Sequence, residues 1–404
     1  MNKRYLFQSI LELALKRNKM AFISGPRQVG KTTLSRSFKN EFDEFLYQNW
    51  DESTFRKMWA KDPSQIIQSL KLEEINSKRI VIFDEIHKSS KWKQKIKGLY
   101  DIYQKDFVII VTGSARLNVF KKGGDSLMGR YLNFRLHPLT YGELASSKQL
   151  HPDEWLKKVF TTKTHSSEQA IIDRLMLTSG FPEPYYAESK NITNIWRQSR
   201  HEKIIREDLR DLSRLPELSK VEMLASLLPE KVGSPLSVQS LREDLEVAHD
   251  TVRRWLNYLE ELYYFFEIKP WGKSIPRSIK KEGKLYLYDW TEITDEAIKF
   301  ENLVACQLIK ACHYWTDTGE GFFDLHYIRN KEKQEIDFLI SKNKKPWLTI
   351  ECKYSDVKID HKVVDKFMTY TKCPHIQVVY KKNVKQIIDQ KMVISASLLF
   401  DGLP

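Results

Sequence analysis

A short loop bounded by two glycines constrains this chain more than any other feature, since it follows the apolar run Met20–Ser24 and precedes a helical pattern. The loop and the residues after it are Gly25, Pro26, Arg27, Gln28, Val29, Gly30, Lys31, Thr32 and Thr33. Glycines let backbone N–H groups turn inward around phosphate oxygens without Cβ clashes. Lys31 would carry charge to the β and γ oxygens, and the Thr32 hydroxyl would complete a Mg²⁺ shell. The loop therefore predicts binding of ATP with Mg²⁺.

A second apolar run, Val81–Phe83, ends in two acids and supports this prediction. We expect Asp84 to hold Mg²⁺ through water, and Glu85 to polarise the water that attacks the γ-phosphate. A buried strand that merely ends in solvated acids is the alternative. The distance of about fifty residues from the glycine-rich loop favours the catalytic interpretation.

Two further residues are candidates for the same site. Another apolar strand ends near Ser114, whose hydroxyl is placed to contact the γ-phosphate or the attacking water. Arg130, which follows Gly129, is a candidate for stabilising charge in a neighbouring subunit, and this predicts a homo-oligomer. A lone arginine could equally pair with a surface acid.

The composition describes a globular protein with a basic surface. The chain has 404 residues, of which 29% are charged, and a net charge of +13. Such a surface attracts polyanions, so DNA is an expected partner, although lysine also serves solubility. Four cysteines without CxxC spacing fit a reducing cytosol. No apolar run is long enough for a membrane span, so we expect a soluble cytoplasmic protein.

Four segments together carry a resemblance to a known family. They are GPRQVGKTTL, IFDEIHK, VTGSAR and LMGRYLNFRLHPLTYGEL. In these segments the chain resembles a group of prokaryotic AAA+/STAND-like P-loop ATPases with a C-terminal nuclease-like domain of unknown function. The resemblance implies an AAA+-type core. It also implies that Pro182, in the run Ser179-Gly180-Phe181-Pro182, lies in a helical lid near the adenine.

A winged-helix-like pattern follows the expected lid. A short helix is predicted near 236–241, and a second one carries the apolar stripe of Val252, Trp255, Leu256, Leu259 and Leu262. Thr251, Arg253, Arg254 and Asn257 fall away from that stripe, as in a recognition helix. Nearby acids would repel phosphates, which favours a module that packs on the ATPase, with direct DNA contact as the alternative.

The last third of the chain contains a nuclease-like constellation. Asp337 lies in one predicted strand, and Glu351 and Lys353 share one face of the next. The two acids and the Cys352 carbonyl could bind Mg²⁺, while Lys353 orients or deprotonates the attacking water. This resembles the PD-(D/E)xK nuclease motif, which implies that Glu301, on a preceding helix, completes the metal site. Acids and lysines also share many exposed strand faces, so the motif alone is weak.

These patterns predict an α/β protein with four parts. They are a P-loop AAA+-type core with a parallel sheet at 1–150, a helical lid at 151–225, a winged-helix-like module at 226–290 and a PD-(D/E)xK nuclease-like α/β domain at 291–404. The expected function is Mg²⁺-dependent ATP hydrolysis coupled to action on DNA. The alternatives are a slow ATP-dependent switch with a non-catalytic C-terminal docking module, and a nuclease whose access the ATPase controls.

Overall fold

A computed structural model places most of the chain. It describes residues 4–67, 70, 77–113, 127–161, 168–187, 189–209, 217–272, 282–355 and 358–404. Ser114 lies outside these residues. The chain divides into two units, residues 1–137 and 138–404, and the four-part division expected from the sequence stays a prediction.

The apolar runs of the first unit form a five-stranded parallel sheet in the order β2-β3-β4-β1-β5. Its strands are β1 Met20–Ser24, β2 Glu44–Asn49, β3 Arg79–Asp84, β4 Val108–Gly113 and β5 Tyr131–Arg135. The three central strands are buried at nearly every residue, which is typical of a parallel sheet covered on both faces. The sequence predicted four of these strands, since the run Tyr131–Leu136 also predicts β5, and the parallel α/β core is confirmed. It did not predict β2.

Helical segments precede β1 and connect successive strands from β1 to β4. The α-helices are Leu6–Ser9, Lys31–Ser37, Ser53–Lys61, Ser64–Ile67 and Trp92–Tyr103; Ile10–Ala14 is a π-helix; and Leu15–Arg17, Phe38–Glu41 and Ile86–Lys88 are 3₁₀-helices. Three of these segments, Leu6–Ser9, Ile10–Ala14 and Leu15–Arg17, are consecutive, and they end where Asn18 adopts a left-handed φ of 53°. The core around the sheet combines aliphatic side chains with aromatic ones that include Phe22, Trp59 and Phe83.

The second unit contains a mixed eight-stranded sheet in the order β12-β13-β11-β10-β9-β8-β6-β7. Its strands are β6 Phe265–Pro270, β7 Lys284–Leu287, β8 Phe323–Arg329, β9 Glu335–Lys342, β10 Lys345–Lys353, β11 His375–Val379, β12 Lys385–Ile388 and β13 Lys391–Ser395. Antiparallel β6 and β7 continue the sheet through the pairing of β6 with β8. One sheet therefore spans both sides of residue 290.

Helices of the second unit precede and flank this sheet. The α-helices are Tyr141–Leu144, Pro152–Thr161, Gln169–Thr178, Pro182–Ala187, Lys190–Glu202, Leu218–Leu227, Val238–Leu245, His249–Glu261, Glu296–Asp317, His361–Thr371 and Ala396–Phe400; Lys203–Asp208 is a π-helix and Leu228–Lys231 a 3₁₀-helix. The stripe predicted on His249–Glu261 is buried, whereas Arg253, Arg254 and Asn257 are exposed. Within the part of the chain described, no helix combines the length and apolar character needed to cross a membrane.

Candidate functional site

The glycine-rich loop joins the end of β1 to helix Lys31–Ser37. Gly25 has no room for a side chain, because a Cβ there would lie 2.2 Å from the carbonyl oxygen of Leu136. Gly30 has a φ of 97°, a left-handed conformation that glycine adopts without steric cost. The backbone therefore requires both glycines that the sequence singled out.

Lys31 begins the helix after the loop, and it is 6% exposed. Its ammonium group donates hydrogen bonds to the carbonyl oxygens of Gly25, at 3.0 Å, and Pro26, at 2.8 Å. The positive charge is thus held within the loop by the loop's own backbone. A cradle of this kind, with an internal cation, fits the phosphates of a nucleotide.

An N-terminal arginine braces the same loop. The Arg4 guanidinium donates to the carbonyl oxygens of Val29, at 2.7 Å, and His137, at 2.5 Å. Val29 is buried, whereas Arg27 and Gln28 are half-buried, and Gln28 has a φ of 63°. The loop motif did not predict this brace, because the arginine lies far upstream of it in the sequence.

Three hydroxyl groups surround the carboxylate of Asp84 at the end of β3. Thr32 donates to Oδ2 at 2.7 Å, Tyr47 donates to the same oxygen at 2.5 Å, and Thr112 donates to Oδ1. Strand register explains the geometry, since Asp84 pairs with Thr112 of β4. The structure thus brings together Thr32 and Asp84, the residues predicted to hold Mg²⁺. Hydroxyl and carboxylate oxygens are ligands that Mg²⁺ prefers, so the pair fits that ion.

Tyr47 is a site residue that sequence reasoning missed. It lies on β2, at the edge of the sheet, and the guanidinium carbon of Arg36 is 4.0 Å from the centre of its ring. Burial and the neighbouring Asp84 raise the pKa of Tyr47 above its ordinary value. The phenol therefore stays protonated and acts as a hydrogen-bond donor to the carboxylate.

Glu85 and Arg130, the two predicted catalytic residues of the first unit, each lie near a side chain with which they can pair. Glu85 has a φ of 57°, its backbone N–H donates to the Thr112 carbonyl at 3.1 Å, and its Oε2 lies 3.7 Å from Nε2 of His87. Arg130 forms an ion pair with Asp101, with Nε 2.6 Å from Oδ1. The surface pairing left open by the sequence is therefore present, and a role for Arg130 in a neighbouring subunit stays a prediction.

A buried ammonium group lies among three carboxylates in the second unit. Lys284, on β7, is 2% exposed and contacts Glu335 directly. Its Nζ lies 3.7 Å from Oε1 of Glu301 and 3.9 Å from Oδ1 of Asp337. Tyr286, on the same strand, donates to Oε1 of Glu301 at 2.7 Å. The sequence indicated Lys353 near these acids but did not indicate Lys284.

The balance of burial and the charges within the cluster raises the pKa of both Glu301 and Lys284. Burial, helped by the charge of Asp337 and opposed by Lys284, raises the pKa of Glu301 from 4.5 to about 7. Burial alone would lower the pKa of Lys284, but Glu301, Asp337 and Glu335 raise it on balance. The lysine therefore stays charged among the carboxylates.

The remaining nuclease-like residues lie on β10. Nζ of Lys353 is 2.8 Å from Oε1 of Glu351. Burial raises the pKa of Glu351, although Lys353 opposes the shift. The backbone N–H of Cys352 donates to Oδ2 of Asp337 at 2.8 Å. Antiparallel pairing of β9 with β10 thus brings Asp337 beside the strand that carries Glu351 and Lys353.

The three acids predicted to bind a metal ion in the nuclease-like domain lie near two different lysines. Glu301 and Asp337 lie near Lys284, whereas Glu351 pairs with Lys353. Across the described ranges, no group of three or more His, Cys, Asp or Glu side chains is arranged as a metal site. The side chains have the chemistry that Mg²⁺ prefers, but in this arrangement they bind ammonium groups, so the set does not fit a divalent ion.

Pro182 belongs to the second unit and begins helix Pro182–Ala187. The preceding Gly180 packs tightly, because a Cβ there would lie 2.4 Å from the carbonyl oxygen of Leu139. The predicted position of Pro182 near the adenine of a nucleotide stays a prediction.

The loop, the acid-ended strand and the parallel sheet define the class of a P-loop ATPase. Comparison with known families agrees, since residues 17–145 match the family model of an AAA domain. Residues 169–291 and 298–399 match two domains of unknown function, DUF8612 and DUF4143. The first part of the chain is therefore a P-loop ATPase domain of the AAA type.

Proteins similar to most of this chain occur in archaea and bacteria. The chain is 23% identical to the uncharacterized protein MJ1544 of Methanocaldococcus jannaschii over 82% of this chain and 74% of that protein. It is 23% identical to the uncharacterized protein Rv2008c of Mycobacterium tuberculosis over 83% and 71%, respectively. Among solved structures, the Walker-type ATPase PABY2304 of Pyrococcus abyssi is 17% identical with a TM-score of 0.45, covering 73% of this chain and 95% of that one.

Proposed function

We propose that the first unit binds Mg²⁺-ATP and hydrolyses it. The contact between Thr32 and Asp84 beside the buried ammonium of Lys31 carries this proposal. Lys31 would neutralise the phosphates, Thr32 and Asp84 would hold the metal, and Glu85 would orient the attacking water. Bound Mg²⁺ supplies stabilisation of charge that develops on the phosphoryl oxygens.

Two substitutions separate binding from chemistry. Lys31→Ala removes the cation of the loop, so we expect loss of both Mg²⁺-ATP binding by calorimetry and phosphate release. Glu85→Gln keeps the loop intact, so binding should persist while turnover falls by at least about 100-fold. Lys39→Ala, an exposed lysine just after the same helix, is the matched control and should behave as the wild type. Wild-type turnover in Glu85→Gln would remove Glu85 from the mechanism.

The proposal extends to DNA, on which the second unit would act through a winged-helix module and a nuclease-like domain. The net charge of +13 supports a polyanionic partner. Arg253, Arg254 and Asn257 are exposed on one face of helix His249–Glu261, where a recognition helix presents its contacts. The order of helix Glu296–Asp317, strands β8 to β10, helix His361–Thr371 and strand β11 supports the nuclease-like resemblance.

DNA binding is tested by fluorescence anisotropy with labelled single-stranded, duplex and branched DNA at several salt concentrations. If the helix contacts phosphates, Arg253→Ala with Arg254→Ala should weaken binding and flatten its dependence on salt by a slope of about 2. Arg242→Ala changes an exposed arginine on the preceding helix and serves as control. Failure of the wild type to bind any of these DNAs at moderate salt would reject the proposal.

A second candidate is a slow ATP-dependent switch whose C-terminal domain docks without cutting. The ammonium of Lys284 among the carboxylates favours this version, because those acids already have a cation. Slow turnover, together with a nucleotide-dependent change in oligomer size measured by light scattering, would support it. DNA cleavage that disappears in Lys353→Ala would instead support a nuclease.

A further inference from the structure

We infer that Lys284 is the resident cation of the C-terminal carboxylate cluster and that it keeps a divalent metal ion out. Its ammonium contacts Glu335 and lies within 3.9 Å of carboxylate oxygens of Glu301 and Asp337. The Lys284 side chain is 3% exposed, so solvent cannot readily replace these contacts. The cluster therefore has a positive charge at the centre of the acids that a metal ion would need.

Each carboxylate in the cluster also has a protein partner. Tyr286 donates to Glu301, and the backbone N–H of Cys352 donates to Asp337. Glu335 contacts Lys284 itself. A divalent ion at this position would meet the buried charge of Lys284 at close range among half-buried carboxylates, where screening is weaker than at the surface. Binding would thus require Lys284 to leave, with the loss of its contacts to half-buried carboxylates.

The strand that carries Lys284 comes from the segment before the nuclease-like domain. Lys284 pairs with Ile268 across β6 and β7. A second element of that segment closes the cluster, since a Cβ on Gly233 would lie 3.3 Å from Oε1 of Glu301. The wing-like hairpin thus inserts its own cation among the nuclease-like acids. This inference predicts a domain that engages its partner without a bound metal ion.

Metal binding without DNA or nucleotide provides the test. The full-length protein is titrated with Mn²⁺, and binding is followed by calorimetry and by the loss of the free Mn²⁺ signal in electron paramagnetic resonance. The variants are Lys284→Met, which keeps side-chain length without charge, and Lys284→Gln, in case the first does not fold. Lys269→Met, on neighbouring β6, removes a lysine whose ion pair is with Glu267 and serves as control. Circular dichroism verifies folding.

We expect the wild type and Lys269→Met to show no saturable site that depends on Asp337. Lys284→Met or Lys284→Gln should gain one site, at least about 100-fold tighter than the wild-type limit, because a like charge within about 4 Å is gone. Adding Asp337→Asn should abolish it. The inference is overturned if the wild type has a Mn²⁺ site that Asp337→Asn removes. It is also overturned if a folded Lys284 variant binds no Mn²⁺. If neither Lys284 variant folds, the Mn²⁺ titration of the wild type alone tests whether Lys284 keeps the metal out. The Mn²⁺ results do not depend on whether the protein binds DNA.

Discussion

Removal of the Tyr47 hydroxyl tests how much its hydrogen bond to Asp84 contributes to stability and to the Mg²⁺ dependence of turnover. Tyr47→Phe deletes one of three hydroxyl donors to the carboxylate and keeps the ring on which Arg36 stacks. The variant thus removes one hydrogen bond without creating a large cavity. Its effect reports on the hydrogen bond to a charged acceptor.

The size of the effect follows from the burial of the bond. Hydrogen bonds to charged groups contribute about 1.5–3 kcal/mol, and the half-buried position of Tyr47 places it near the lower end. For a unit of this size, a loss of about 1.5 kcal/mol lowers the melting temperature by about 3–6 °C. The Asp84 carboxylate also gains acceptor capacity. We therefore expect half-maximal ATP turnover at a lower Mg²⁺ concentration.

Differential scanning calorimetry and turnover at varied Mg²⁺ concentration measure the two effects. Tyr100→Phe is the matched control in the same unit, because that hydroxyl donates to the neutral carbonyl of Asn18 at 2.7 Å. The control should lose less stability and should leave the Mg²⁺ dependence unchanged. Equal losses in both variants, with no change in Mg²⁺ dependence for Tyr47→Phe, would refute the reasoning.

Other predictions concern the loop and the second unit. Gly25→Ala should abolish Mg²⁺-ATP binding in calorimetry, because its Cβ would lie 2.2 Å from the Leu136 carbonyl oxygen; Gly98→Ala, with open space around its Cβ, should bind normally and gain about 1 kcal/mol. Burial raises the pKa of Glu301 from 4.5 to about 7, so the folded form binds more protons there and stability should fall by about 3 kcal/mol as pH rises through that window. Burial lowers the pKa of His375 from 6.5 to about 4, so the folded form binds fewer protons there. The contribution of His375 to folding stability should therefore rise by a similar amount as pH rises through the overlapping window. In Glu301→Gln only the His375 contribution remains, so the urea midpoint of unfolding should rise between about pH 4 and 7.5. In His375→Asn only the Glu301 contribution remains, so the midpoint should fall over the same range. Parallel profiles in the two variants would contradict this assignment.

The sequence predicted the nucleotide loop and most of the first sheet because their signals are local. Strands β1, β3 and β4 are continuous apolar runs, which mark buried parallel strands without tertiary information. Edge strand β2 is half-buried at every residue, so Glu44–Asn49 has neither an apolar run nor a clean alternation. Tyr47 was missed for the same reason.

The C-terminal carboxylate cluster could be predicted only in part from local sequence patterns. The spacing of Asp337, Glu351 and Lys353 identified a hairpin that the structure contains. Lys284 lies far upstream, and a lysine at a strand end is typical of an exposed position. Only the pairing of distant strands brings it among the acids. The sequence could predict which side chains are present but not which cation they bind.

Strand register gives the Asp84 site a low tolerance for length changes. The carboxylate meets Thr112 because β3 and β4 pair in parallel with those two residues in line. Side chains alternate along a strand, so one residue inserted into β3 would turn Asp84 to the opposite face and bring Glu85 into the wrong position. We therefore expect natural insertions and deletions among similar chains to gather in the connecting loops and to spare these two strands.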